Sequence, residues 1–151
     1  MLWADLITWL MNGQRPQSVF AVTQQLKPDV YPKVEDEATI VLTYPSGQGI
    51  IQASWNWPFD RKDMEVYGRT GYVLIPRMDL MRVRKANSTE KEIAVPPLTG
   101  TQADPLSYLA AVVRGELRPS GLSSLSVNMT VTEILDAARQ SAQTGKRIHL
   151  P

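Results

Sequence analysis

Trp55-Asn56-Trp57-Pro58 is the stretch whose residue types come nearest to a ligand site. Period-two alternation puts Trp55 and Trp57 on one face of an extended chain and Asn56 on the other. Paired tryptophans can stack on a sugar ring, though they are more often core or interface residues. Asp5 is a second candidate, an acid within the first turn of an otherwise apolar segment. There it interacts favourably with the helix N-terminal dipole. Glu35-Asp36-Glu37 is an acidic triplet ahead of a strand, with no His or second acidic cluster near it in sequence. That argues against a metal site. It reads instead as a solvated strand entry with one carboxylate making loop hydrogen bonds. The single histidine, His149, lies between Ile148 and Leu150 and reads as a plain strand residue.

Most catalytic templates find nothing to use. The chain has no cysteine, so it offers no thiolate nucleophile, thiolate metal site or disulfide. It has no Gly-x-Gly-x-x-Gly and no Gly-Lys-[Ser/Thr] phosphate loop. No catalytic, cofactor-binding or metal residue is therefore assigned to it. Its formal net charge is +1, with both signs interspersed, which excludes the basic stripe of a nucleic-acid surface. No apolar run approaches the roughly 20 residues of a spanning helix. The N-terminus lacks the basic n-region of a signal peptide. Absence of cysteine suits a reducing compartment, so the expected location is cytoplasmic. A chain of 151 residues fits one domain, expected over 1–151.

The elements that must position these residues follow from periodicity. Met1–Asn12 reads as a helix with Leu2, Leu6 and Leu10 on one face, joined by Trp3, Ile7 and Met11. Because it starts at the first residue it has no N-cap, as though something upstream were missing. Ser18–Leu26 alternates as a strand. Ala38–Tyr44 and Ile50–Trp57 form two more across Pro45-Ser46-Gly47-Gln48-Gly49. Met64–Tyr67 and Tyr72–Ile75 flank Gly68-Arg69-Thr70-Gly71, where glycines permit the positive φ of a tight hairpin. These four strands, from Ala38 to Ile75, are expected to make one antiparallel meander. Leu80–Lys85 and Glu92–Val95 are weaker strands. Asp104 can cap a short helix to Gly115, with Pro105 at its first position and Leu106, Leu109, Ala110 and Val113 as the apolar stripe. Ser123 or Ser124 opens a long helix to about Thr144, with Val127, Val131, Ile134, Leu135, Ala138 and Ala142 facing inward. Arg147–Leu150 is a last short strand.

The fold class is thus α+β: an open, mainly antiparallel sheet with the first and last helices packed on one face. The other face carries Thr39, Val41 and Thr43, with Ile50 or Ile51. It is too apolar for a freely solvated surface, and such a face usually meets another subunit or domain. The alternative is cover by the loop Pro96–Ala103.

Several pieces in order resemble one family. They are Asp5 through Gly13 followed by Pro16-Gln17-Ser18-Val19; Val34-Glu35-Asp36-Glu37-Ala38; Ala53-Ser54-Trp55; Glu65 through Gly71; and Asn128 through Ala142 with Gly145-Lys146-Arg147-Ile148. Together they resemble the C-terminal domain of the Gfo/Idh/MocA oxidoreductases, which include glucose–fructose oxidoreductase and myo-inositol dehydrogenase. The resemblance implies a fold like the glyceraldehyde-3-phosphate dehydrogenase C-terminal domain. It implies a Rossmann domain elsewhere that binds NAD or NADP, a sugar or polyol substrate, and oligomer contacts through the open sheet. In the family a helix motif Asp-x-Gly-x-His-x-x-Asp reaches the nicotinamide. If Asp5 matches its last acid, the histidine position falls on Leu2, which cannot transfer a proton. Two readings follow. The chain is the substrate and oligomerisation domain of such an enzyme, inactive by itself and holding no cofactor, with Asp5, Trp55 and Trp57 toward a sugar-like molecule and Thr39, Val41 and Thr43 toward a second copy. Alternatively it is a stand-alone, non-catalytic dimeric domain that binds a ligand or partner.

Overall fold

The structure, a computed structural model, describes residues 2–151, and of Leu2 the backbone alone. Met1 and the Leu2 side chain, expected on the first helix's apolar face, lie outside the described residues. The element order is α1 (Leu2–Leu10), β1 (Ser18–Gln24), β2 (Glu37–Tyr44), β3 (Gly47–Ser54), β4 (Met64–Gly68), β5 (Gly71–Arg77), β6 (Leu80–Lys85), β7 (Lys91–Ala94), α2 (Pro105–Val113), α3 (Leu125–Thr144) and β8 (Ile148–His149). This is the α+β class with antiparallel sheets. The chain divides into two compact units, residues 1–56 with 119–151, and residues 57–118.

The expected single meander is not formed. β2 and β3 belong to a sheet of order β3-β2-β1-β8, whereas β4 and β5 belong to a second of order β4-β5-β6-β7. The reason lies after Ser54. β3 ends there, three residues short of the expected Trp57. Trp55 N–H then donates to the Asp36 carbonyl at 2.9 Å, and Asn56 N–H to Ser54 Oγ at 2.9 Å. The backbone is thus tied locally before β4 begins. The β2–β3 turn is also tighter than its five turn-forming residues suggested. Tyr44 pairs with Gly47, leaving Pro45-Ser46 as a two-residue connection.

In the first unit, α1 and α3 pack together, and α3 lies on β1. Alternation assigns the strand faces correctly. Val19, Ala21, Leu42, Tyr44 and Ile51 enter one core with Val127, Val131 and Ile134 of α3. The α1 stripe differs from expectation. Ala4 and Thr8 are its buried residues, with Trp3, Ile7 and Met11 packed against the core, while Leu10 is exposed. α3 is capped at Ser124, whose hydroxyl accepts from Val127 N–H, and ends at Gly145. One polar tie crosses this core. Ser141 Oγ accepts from Ala21 N–H at 2.9 Å and donates to the Lys146 carbonyl at 2.6 Å.

In the second unit, β4 and β5 pair through Gly68↔Gly71, so the turn is Arg69-Thr70. Neither glycine has positive φ, contrary to expectation. Gly71 is required for space instead, because a Cβ there would lie 2.1 Å from the Arg84 carbonyl oxygen. Asp104 caps α2 as expected, accepting from Ser107 N–H at 2.8 Å. The α2 stripe is a correction: Ala111 is its buried residue, whereas Leu106, Leu109 and Val113 are exposed.

Candidate functional site

Asp5 lies in the first turn of α1, where its charge complements the helix dipole. Its Oδ1 atom is enclosed and has no hydrogen-bond partner. One turn on, Thr8 is fully buried, and its hydroxyl lies by that of Tyr44. Burial raises the Tyr44 phenol above its ordinary pKa, with the Thr8 hydroxyl acting in the opposite direction. α1 and the end of β2 therefore bring three polar groups to the apolar core of the first unit, Asp5 and Thr8 from the helix and Tyr44 from the strand. A carboxylate oxygen in so apolar a setting is a strong acceptor for a hydroxyl that reaches it.

The far end of β3 holds a polar cluster. Asp36 is buried, and its carboxylate accepts from two successive loop amides, Leu26 N–H at 2.8 Å and Lys27 N–H at 2.7 Å. Burial pushes its pKa up, but these bonds and one with Asn56 outweigh burial and hold it below the ordinary value. The acidic triplet thus opens the strand with one carboxylate making loop hydrogen bonds, as expected, although that carboxylate is buried and not solvated. Asn56 Nδ2 donates to the Asp36 carbonyl at 3.2 Å and to Glu37 Oε2 at 3.3 Å, and Ser54 Oγ donates to the same Glu37 oxygen. Trp55 stands beside this cluster, 60% exposed, with its ring 4.9 Å from that of Tyr31 and tilted by 53°. An exposed aromatic face beside fixed amide and carboxylate groups can take the C–H face of a sugar and bond its hydroxyls.

Trp57 has different neighbours. It belongs to the second unit, where the Arg61 guanidinium stacks 5.1 Å over its ring. Because β3 ends at Ser54, Trp55 and Trp57 do not share the expected strand face. No hydrogen bond or ring contact joins Asp5, Trp55 and Trp57 among the described residues. Tyr31 and Arg61 went unnoticed in the sequence, and Asn56 was read only as facing away from the tryptophans, because each meets its partner only through the path of a loop.

Thr39, Val41 and Thr43 lie on the sheet face opposite the helices, as alternation required. β1 and β3 extend that face. Phe20 pairs with Val41, and Val41 with Ile50, so three apolar side chains cross the sheet in one row. Phe20 is 37% exposed, Val22 51% and Ile50 62%, which leaves a continuous apolar strip in water. His149 pairs with Ser18 at the sheet edge, as a plain strand residue. No described helix is long and apolar enough to cross a membrane.

Residues 3–74 match the model of the GFO/IDH/MocA C-terminal domain, a span that takes in α1, the strands of the first sheet through β3, and β4. No curated protein matches the chain in sequence. Solved structures with the same fold include the aldose-aldose oxidoreductase from Caulobacter crescentus complexed with glycerol, at 20% identity and a TM-score of 0.77, covering 99% of this chain and 45% of that one. The UDP-N-acetylglucosamine 3-dehydrogenase from Acidithiobacillus ferrooxidans matches at 17% identity and a TM-score of 0.71, over 93% of this chain and 44% of that one. The WlbA dehydrogenase from Bordetella pertussis, in complex with NADH and UDP-GlcNAcA, matches at 22% identity and a TM-score of 0.65, over 99% and 43%. At these identities the likeness establishes the fold, and the chain spans less than half the length of each of these three. The family model thus matches α1 and the neighbouring strands, just under half of the chain, and the fold is shared along nearly its whole length, so the chain is similar to the C-terminal domains of the Gfo/Idh/MocA oxidoreductases.

Proposed function

We propose that this chain is the substrate-contacting, self-associating part of an NAD(P)-dependent sugar or polyol oxidoreductase, inactive on its own. The family match carries the reading, because it covers both α1 with Asp5 and the strands whose outer face is apolar. Asp5 and Trp55 are the residues proposed to meet substrate, Asp5 as acceptor and Trp55 as a platform. Support for a sugar comes from relatives named for aldose and for UDP-N-acetylglucosamine chemistry. NADH is bound in a third, the WlbA dehydrogenase from Bordetella pertussis. The dinucleotide is proposed to sit outside this chain, whose sequence has no Gly-rich strand–turn–helix to hold pyrophosphate. Lack of cysteine supports a cytoplasmic location.

Thr39, Val41 and Thr43, with Phe20 and Ile50, are proposed to meet the same face of a second copy. Burying such a strip contributes about 25 cal/mol per Å², less the cost of lost rigid-body freedom. A two-fold contact repeats each substitution on both partners, so one new charge enters it twice. Light scattering on the parent and on Val41→Lys is the test, with circular dichroism as the check on folding. A dimeric parent and a folded, monomeric Val41→Lys are expected. A monomeric parent at micromolar concentration, or a dimeric variant, would overturn the self-association. Titration of the same parent with NADH should show no saturable binding tighter than about 1 mM, or roughly −4 kcal/mol. Tighter binding would place cofactor recognition in this chain.

A further inference from the structure

A groove in the second unit has features that neither the family match nor the reading above uses. Its origin is a bulge in β5. Leu74 pairs with Arg82 and Arg77 with Leu80, so β5 spends three steps where β6 spends two. Pro76 lies inside that bulge and has no N–H to give the ladder. The groove there has a volume of about 320 Å³, with Leu74 and Pro76 among its apolar lining and Asp60, Arg61, Asp63 and Arg82 among its charged lining.

Two guanidinium groups are held in place at this groove. Arg61 donates from Nε to Asp63 Oδ1 at 2.7 Å and from Nη2 to Oδ2 at 2.9 Å, with Trp57 under its plane. Arg82 donates from Nε to Glu90 Oε1 at 2.7 Å, and Tyr72 Oη donates to the other Glu90 oxygen at 2.7 Å. A guanidinium has five N–H donors, so each retains donors beyond those its carboxylate uses. Orientation by a carboxylate reduces the entropy lost when those donors meet a ligand. Asp60 and Lys62 also line the groove, and neither has a hydrogen bond or ion pair among the described residues.

Charge selects the class of ligand. Arg61, Lys62 and Arg82 are balanced by Asp60, Asp63 and Glu65 in the same lining, so no strong field of either sign favours an ion. Fixed donors beside fixed acceptors instead suit a group that both donates and accepts at neighbouring atoms. Vicinal hydroxyls do this without charge, and apolar lining from Leu74 and Pro76 suits the C–H face of the ring that bears them. We propose that this groove binds a neutral, vicinally hydroxylated ligand, a polyol or sugar ring, independently of Asp5 and Trp55.

The test is NMR of the whole ¹⁵N-labelled chain, following the Arg Nε–H and Trp indole signals during titration with D-glucose and, separately, with inorganic phosphate. Both ion pairs are partly exposed, with side-chain exposures of 54% and 30% for Arg61 and Asp63, so millimolar binding is expected. Saturable glucose shifts at Arg61, Arg82 and Trp57 support the proposal. Arg82→Met should weaken them about tenfold, the upper range for one lost hydrogen bond. If that variant fails to fold, Asp60→Ala, which breaks no bond, should weaken them in the same direction. Asp5→Asn should leave them unchanged, which separates this groove from the α1 reading. Absence of saturable shifts, shifts confined to Trp55, or saturation by phosphate without glucose would each overturn the proposal.

Discussion

Gly49 of β3 lies so close to Ile7 of α1 that a Cβ on the glycine would sit 2.9 Å from Ile7 Cγ2 and 3.0 Å from its Cδ1. The helix bearing Asp5 is therefore seated on a strand whose missing side chain makes the room. Ile7 is β-branched and stiff at χ1, so it cannot simply swing away.

Gly49→Val is expected to destabilise the fold by about 1–3 kcal/mol through overpacking. Ile7→Ala removes the atoms in the way, so the pair Gly49→Val with Ile7→Ala should cost less than the sum of its parts. Urea unfolding of the four proteins of this double-mutant cycle measures the difference. Additive costs would show that the helix moves off the strand instead of meeting it rigidly.

Ser141 is fully buried and serves two backbone groups at once, from β1 and from the turn after α3. Ser141→Ala keeps the packing volume but leaves the Ala21 amide and the Lys146 carbonyl short of a partner. A loss of about 1–3 kcal/mol is expected, the cost of stranding a buried polar group. Urea unfolding gives the number, and faster hydrogen exchange at the Ala21 amide should accompany it. A loss indistinguishable from zero would mean that water replaces the hydroxyl.

Asp36 gives the fold a specific acid sensitivity. Its folded pKa lies below its ordinary value of 3.8, so the charged form binds the Leu26 and Lys27 amides more strongly than the protonated form does. The stabilisation is present above the unfolded pKa and is lost as pH falls through the still lower folded one. Asp36→Asn should lower the melting temperature near neutral pH. The gap between parent and variant should close as pH drops below about 3.8. Melting curves at several pH values decide this, and a gap that stays constant into acid would dissociate the effect from ionisation.

Some of the site was legible in residue order. Alternation in Ala38–Tyr44 put Val41 opposite Leu42 and Tyr44, because a strand has no other way to share its side chains between two faces. Asp104-Pro105 announced a helix start, since the cap and the fixed proline φ act within a few residues. The acidic triplet was read correctly as a strand entry with loop bonds, although which carboxylate would be used was not visible. The α2 stripe was misread, since Leu106, Leu109 and Val113 are exposed. Helical spacing marks which residues share a face, and says nothing about whether anything lies against it.

By itself the sequence determined the α+β class, the strand faces, the helix ends, and the order of local signatures shared with the Gfo/Idh/MocA family. All of these rest on interactions between residues close in the chain. Tertiary structure alone decided that β3 stops at Ser54, that β4 starts a separate sheet, that Trp55 meets Tyr31 while Trp57 meets Arg61, and that Asp36 rather than its neighbours turns inward. Each of these depends on which distant backbone groups find partners. Pairing of that kind is settled by the whole chain's path in space and leaves no periodic mark in the sequence.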